Sequence, residues 1–180
     1  MLFFLLLLSS SLAQSPNEGY DEALFKPYSV TPTGYSKWSF AALNGDFVPV
    51  GVSGPEDTGF LTSARLEDMY GMPPSLMFNA SEVVVTIDLG YATSVSSAGL
   101  KGRCCRTGAA RPSSIEVLSS ADGSNWVSRS QQSLSQASTS PIDKYVVKLT
   151  FASAVQRYWR LVLQAPASTF VQFTNVHLWS

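Results

Sequence analysis

Histidine and cysteine are nearly missing from this chain: His177 stands alone, and Cys104 and Cys105 are the only thiols. The common zinc sites draw three or four ligands largely from these two residue types, so that chemistry has no material here. A Gly-x-Ser-x-Gly elbow and a glycine-rich phosphate loop are absent as well, which removes two frequent signatures of acyl transfer and nucleotide binding. Charge is sparse. Asp, Glu, Lys and Arg make up 14% of the residues against 45% hydrophobic, with a net charge of −1, a balance unlike that of a disordered or nucleic-acid-binding chain. Glu67 and Asp68 adjoin each other in a stretch without helical period and read as a solvated loop, not as an acid and base pair. These absences point away from an enzyme, and no catalytic cofactor is expected.

Long apolar runs are lacking too. The stretch Met1–Ala13, MLFFLLLLSSSLA, is shorter than the ~20 residues of a spanning helix. Its apolar run followed by small residues predicts a secretory signal over 1–13, cleaved before Gln14. No later stretch reaches spanning length, so a secreted, extracellular product is expected. In that setting Asn79-Ala80-Ser81 reads as an N-glycosylation sequon. Residues 14–37, with Pro16, Gly19, Pro27, Pro32 and Gly34, read as an extended N-terminal extension, and 38–180 as one domain. Charge is uneven along this length. Gln14 to Gly90 holds ten acidic and three basic residues, whereas Tyr91 to Ser180 holds three acidic and nine basic. One folded unit brings these halves together and leaves only a local basic loop.

Helical periodicity is almost absent, and Pro73-Pro74 stops any helix entering from Arg65. Strand signals are plentiful. Val83–Leu89 is rich in β-branched residues and ends at Gly90, and Ser113–Ser119 leads into Asp122-Gly123, a tight-turn pair. Tyr145–Phe151 alternates in part, Arg157–Leu163 alternates large apolar with polar residues, and Phe170–Trp179 closes as a strand. Val48–Thr62 and the Ser/Gln-rich run 128–140 read as loops. No internal repeat is present. Short strands with turn punctuation predict an all-β antiparallel sandwich. Phe151, Trp126, Tyr158, Trp159 and Trp179 read as sheet packing, while Trp38, Phe60, Tyr70 and Met72 lie in loop-like stretches suited to rimming a site.

The most distinctive stretch is Lys101-Gly102-Arg103-Cys104-Cys105-Arg106-Thr107-Gly108-Ala109-Ala110-Arg111, with both cysteines, four of the twelve basic residues and no acid. Two readings of the cysteines are open: a bond between neighbours, or two free or intermolecularly paired thiols. Adjacent Cα atoms sit ~3.8 Å apart, under the usual ~4.4 Å lower end for disulfides, so a bond between them distorts the local backbone. It closes almost no loop and adds little global stability. Its use is local: a rigid, weakly polar knuckle among cations, suited to the apolar face of a ligand whose hydroxyls or anionic groups meet Lys and Arg. Lys101, Arg103, Cys104, Cys105, Arg106 and Arg111 are therefore the candidate ligand-binding residues. His177 reads as a structural or surface residue.

The order Ala42-Leu43-Asn44-Gly45-Asp46, Val85-Thr86-Ile87-Asp88-Leu89-Gly90, Arg111-Pro112-Ser113-Ser114-Ile115-Glu116-Val117, Ser119-Ser120-Ala121-Asp122-Gly123-Ser124-Asn125-Trp126, Arg157-Tyr158-Trp159-Arg160-Leu161 and a terminal strand resembles the discoidin, or coagulation factor 5/8 type C, superfamily. The resemblance covers about Trp38 to Ser180 and implies a galactose-binding-like jelly roll. Within that superfamily, adjacent cysteines in a basic loop are similar to the fucose-binding F-type lectins, in which a vicinal disulfide packs against the sugar. Against that lectin motif, Lys101 takes the first Arg position, Arg103 stands where Asp is usual, Gly108 replaces a second basic residue, and Pro73-Pro74 fills the region of the upstream His. The resemblance also implies a structural calcium, for which Asn44, Asp46 and Asn175 are the matching oxygen-bearing residues. It implies a secreted lectin-like module for a cell-surface or microbial glycan, fucose-like by analogy. The alternative is an adhesion or matrix protein that holds a protein partner or anionic lipid through the same loops. A single weak sugar site gains strength by multivalency, which makes a homo-oligomer an expected partner state.

Overall fold

The computed structural model describes residues 20–24, 26–31, 35–40, 47–50, 75–104, 109–134, 143–166 and 170–180. Among these there is no helix. The strands are β1 (Tyr28–Thr31), β2 (Tyr35–Phe40), β3 (Phe47–Val50), β4 (Ser75–Phe78), β5 (Glu82–Cys104), β6 (Ala109–Ala110), β7 (Ser114–Ser120), β8 (Val127–Ser133), β9 (Asp143–Gln164), β10 (Phe170–Phe173) and β11 (Asn175–Trp179). They form the antiparallel sandwich that the strand signals predict, with the jelly-roll architecture that the resemblance implies.

The larger sheet runs β1-β5-β9-β7-β8, with β11 also on β5; the smaller runs β3-β2-β4-β10-β6. Every pairing is antiparallel except β6 with β10. Alternation explains the larger sheet. Val83, Val85, Ile87 and Leu89 of β5 are buried while Val84, Thr86 and Asp88 are half-exposed, and Trp159, Leu161 and Leu163 of β9 and Ile115 and Val117 of β7 point into the same core. Phe78, Val171 and Phe173 of the smaller sheet complete that core, with the Phe78 and Phe173 rings stacked at 5.3 Å. Burying each large apolar side chain contributes ~1.5–3 kcal/mol, which is the main reason these strands pair as they do.

Strands β5 and β9 form the spine. They pair from Glu82↔Gln164 to Cys104↔Asp143, with register shifts between Asp88 and Thr93 and between Val95 and Ser97. The segments Tyr145–Phe151 and Arg157–Leu163 thus belong to one bent strand. β8 corrects the reading of 128–140 as loop throughout: Val127–Ser133 is an edge strand on β7. Both its faces are largely exposed, so it carries no hydrophobic alternation to betray it. The Asp122-Gly123 turn closes this β7–β8 hairpin. Gly123 adopts φ +76°, and the Asp122 carboxylate accepts the backbone N–H groups of Ser124 and Asn125 and the Asn125 amide.

Part of the N-terminal extension is built into the same sheet. β1 pairs with β5 from Tyr28↔Ile87 to Thr31↔Val84, and Asp21 bridges to Trp179. The buried Asp21 carboxylate accepts the backbone N–H groups of Ala23 and Leu178 and lies 2.8 Å from His177 Nδ1. His177 is thereby a structural residue that latches this segment, its ring stacked on Trp179 at 5.0 Å.

Candidate functional site

The basic loop leaves the spine where β5 and β9 end. Arg103 pairs with Lys144 and Cys104 with Asp143 on the last two rungs of the ladder. Lys101, two rungs earlier, is half-buried between Asn175 of β11 and Val146 of β9. Its carbonyl accepts both the backbone N–H (2.8 Å) and the hydroxyl (3.0 Å) of Thr174, the residue at the corner between β10 and β11. On the far side, Ala109 and Ala110 pair in parallel with Phe170 and Val171. One end of the loop is therefore tied to the larger sheet and the other to the smaller.

Between these ties lies Tyr145. Its hydroxyl donates to the Gln172 carbonyl of β10 at 2.6 Å, a bond that joins the two sheets beside the two anchored ends. Burial pushes the phenol far above its ordinary range, although the neighbouring Arg111 charge opposes this, so the hydroxyl remains a donor. The Arg111 guanidinium stands 5.9 Å from the ring centroid of Tyr145. Gly102 makes the arrangement sterically feasible. A Cβ there would lie 2.5 Å from the Tyr145 Cζ and hydroxyl oxygen and 2.8 Å from the Gln172 carbonyl, closer than any real side chain is held.

Among the expected site residues, the structure brings Lys101 and Arg111 to the two ends of one loop, with Arg103 and Cys104 on the intervening backbone. Cys105 and Arg106 lie outside the described residues, as do the side chains of Arg103 and Cys104 and hence the pairing of the cysteines. Asn79 is exposed just before β5. Of the expected calcium ligands, Asn44 and Asp46 also fall outside the described residues. Asn175 opens β11 opposite Lys101, and no cluster of three His, Cys, Asp or Glu occurs among the described residues. The signal range 1–13 and the rim residues Phe60, Tyr70 and Met72 lie outside them too. Gly102, Tyr145 and Thr174 escape sequence reasoning. A buried tyrosine in a strand looks like packing, and nothing local says where its hydroxyl ends.

No protein-family model and no curated protein matches the sequence. Solved structures do match in fold. One is CpGH89CBM32-5 from Clostridium perfringens, determined in complex with GalNAc-β-1,3-galactose: TM-score 0.53, 14% identity, covering 85% of this chain and 94% of that one. A second is chitosan-binding module 1 from a chitosanase/glucanase of Paenibacillus sp. IK-5: TM-score 0.56, 13% identity, covering 89% and 99%. A third, SpGH29, has TM-score 0.53 and 17% identity, and this chain spans 28% of it. At such identities the likeness establishes the fold. The chain shares the β-sandwich architecture of these carbohydrate-binding modules.

Proposed function

We propose that this protein is a secreted, lectin-like module that binds a glycan reversibly through the Lys101–Arg111 loop and carries out no chemistry on it. The observation that carries this reading is the double anchorage of the loop. Lys101 is held to the larger sheet and to Thr174, and Ala109-Ala110 to the smaller sheet through β10, so both ends of the cation-bearing segment are fixed to the sandwich. Modules of the same fold bind GalNAc-β-1,3-galactose and chitosan, which supports a sugar as the ligand class.

Lys101, Arg103, Arg106 and Arg111 donate hydrogen bonds to sugar oxygens in this reading. Ammonium and guanidinium groups have no acceptor capacity. A Cys104–Cys105 bond supplies the apolar contact, and a calcium held by Asn44, Asp46 and Asn175 keeps the neighbouring loops in place. Binding of the folded chain to a glycan array, with calcium, with chelator and with reductant, tests all three parts. Selective binding that reductant removes supports the cysteine knuckle, and loss with chelator supports the metal. Silence on every glycan by a folded protein overturns the proposal, and retention on phosphatidylserine vesicles without sugar competition replaces it with the adhesion reading.

A further inference from the structure

We infer that the glycan is acidic, and that an extended polyanionic sugar chain crosses the outer face of β11, β5 and β9 beside the loop. The inference rests on the glycan-binding reading above and names its ligand class.

The register assembles this face. Alternate residues of a strand share a side, and the inward side here is the core: Ala98 and Leu100 of β5, Tyr145, Val147 and Leu149 of β9, Val176 and Leu178 of β11. The opposite rungs are Trp179–Ser97–Thr150, where Trp179 and Ser97 are covered, then His177–Gly99–Lys148, Asn175–Lys101–Val146 and Arg103–Lys144. Four cations, Lys101, Arg103, Lys144 and Lys148, thus occupy positions on one face of two adjacent strands. Alternate positions along a strand are roughly 7 Å apart and neighbouring strands roughly 5 Å apart, so the cations form a stripe and not a point.

The stripe's two described side chains, Lys101 and Lys148, meet no carboxylate among the described residues. Lys148 is exposed, and its ammonium sits 4.5 Å over the ring of Trp179, which is itself buried. The described acids Asp21 and Glu22 lie against Trp179 and Leu178 at the other end of β11, where Asp21 is taken up by His177 and two backbone N–H groups. Asp143 takes the inward register, on the rung of Cys104. Arg103 and Lys144 are also directly opposite each other in the register, and like charges at opposite positions disfavour each other.

The donors select the ligand. A neutral sugar hydroxyl donates as well as accepts, whereas lysine and arginine only donate, so a stripe of cations matches carboxylate or sulfate oxygens better than hydroxyls. Val146 is the one exposed large apolar residue on these rungs, too little apolar surface for a bilayer among so many cations and suited to the apolar face of a sugar ring in a chain lying along the strands. The absence of an exposed ring on these rungs removes the stacking platform that single-stranded nucleic acid uses. The face and the loop share Lys101 and Arg103, so one sugar chain can occupy both.

The test is surface-immobilised polygalacturonate, heparin and a neutral galactan, probed with the full chain, with Lys148→Gln and with Lys144→Gln/Lys148→Gln across a salt series. Thermal unfolding of each variant reports that it is folded. The wild type is expected to bind an acidic chain with a salt dependence that the galactan does not show. Lys148→Gln should weaken that binding severalfold and the double substitution at least tenfold, with a shallower salt slope. Binding to galactan or other neutral glycans alone overturns the acidic class and leaves the glycan reading standing. No binding to any sugar by the folded chain overturns both. Acidic binding untouched by the double substitution overturns the face, and equal retention on a DNA duplex or on phosphatidylserine vesicles overturns the choice of a sugar chain.

Discussion

The two halves of the β5–β9 ladder are built from the same strands and finished in opposite ways. From Glu82 to Asp88 the ladder is flanked by β1 on one side and β7 and β8 on the other, and its outer polar groups are matched across strands. Arg157 grips Asp88 with two bonds of 2.7 and 2.8 Å, Gln164 donates to Glu82 at 2.7 Å, and Arg160 donates to Thr86 while lying 3.8 Å over the Trp126 ring. From Ser97 to Cys104 the flank is β11 alone, the edge of β9 from Asp143 to Thr150 has no further strand among the described residues, and Lys101 and Lys148 meet no carboxylate there, Lys148 lying 4.5 Å over the Trp179 ring. The difference separates two roles. A half whose charges are satisfied internally contributes stability, while a half whose donors remain open can hold a ligand. The register shifts between Asp88 and Ser97 lie between the two halves, so each can be disturbed separately.

The largest expected disturbance is Trp159→Ala in the closed half. Trp159 is fully buried, and removing it costs about 3–5 kcal/mol, a large share of a typical domain's stability. Urea unfolding should report this loss; a shift near zero would mean that the core is not centred on β9. Next is Gly102→Ala in the open half, where the added Cβ collides with Tyr145 and the Gln172 carbonyl. Overpacking of this kind costs about 1–3 kcal/mol. It should also lower ligand affinity, because the loop hangs from this position, whereas Trp159→Ala should spare affinity in the fraction that remains folded. Tyr145→Phe is milder, about 0.5–1.5 kcal/mol for the bond to Gln172. If it lowered ligand affinity more than Gly102→Ala, the loop would depend on the hydroxyl and not on the close approach.

The closed half was the more legible from sequence. Val83–Leu89, Ser113–Ser119 and Arg157–Leu163 each bury alternate residues, so period two was printed in them, and Asp122-Gly123 announced its turn. β8 was hidden because neither of its faces is consistently buried, and the continuity of β9 because residues 151–153 interrupt the alternation at the shift. The open half was legible only in part. The cation-rich loop stands out as composition, but Lys144 and Lys148 join it through a register set by the whole sheet. The Asp21–His177 contact spans 156 residues, beyond any local signal. Pairing partners distant in sequence are chosen by the core, and outward-facing residues are carried along with them.

The smallest effect concerns acid. The Arg157 guanidinium bonded to Asp88 holds that carboxyl below its ordinary 3.8, aided by the Gly90 N–H and opposed by partial burial. Asp88 is 33% and Arg157 42% exposed, so solvent screens the pair, and Asp88→Asn should lower the unfolding temperature less than Tyr145→Phe does. Because the carboxyl titrates lower in the folded than in the unfolded chain, its contribution is complete above the unfolded value. It fades as pH falls below about 3.8 and is gone once pH passes beneath the folded value. The wild type and Asp88→Asn should therefore differ in stability at pH 6 and converge towards pH 2, as read by thermal melts across that window. Between pH 6 and pH 4.5 Asp88 stays charged, so the difference between the two proteins should hold there. A difference between the two proteins that persisted unchanged to pH 2 would mean that Asp88 acts through shape and hydrogen bonding alone, and that the contrast between closed and open halves is not one of charge.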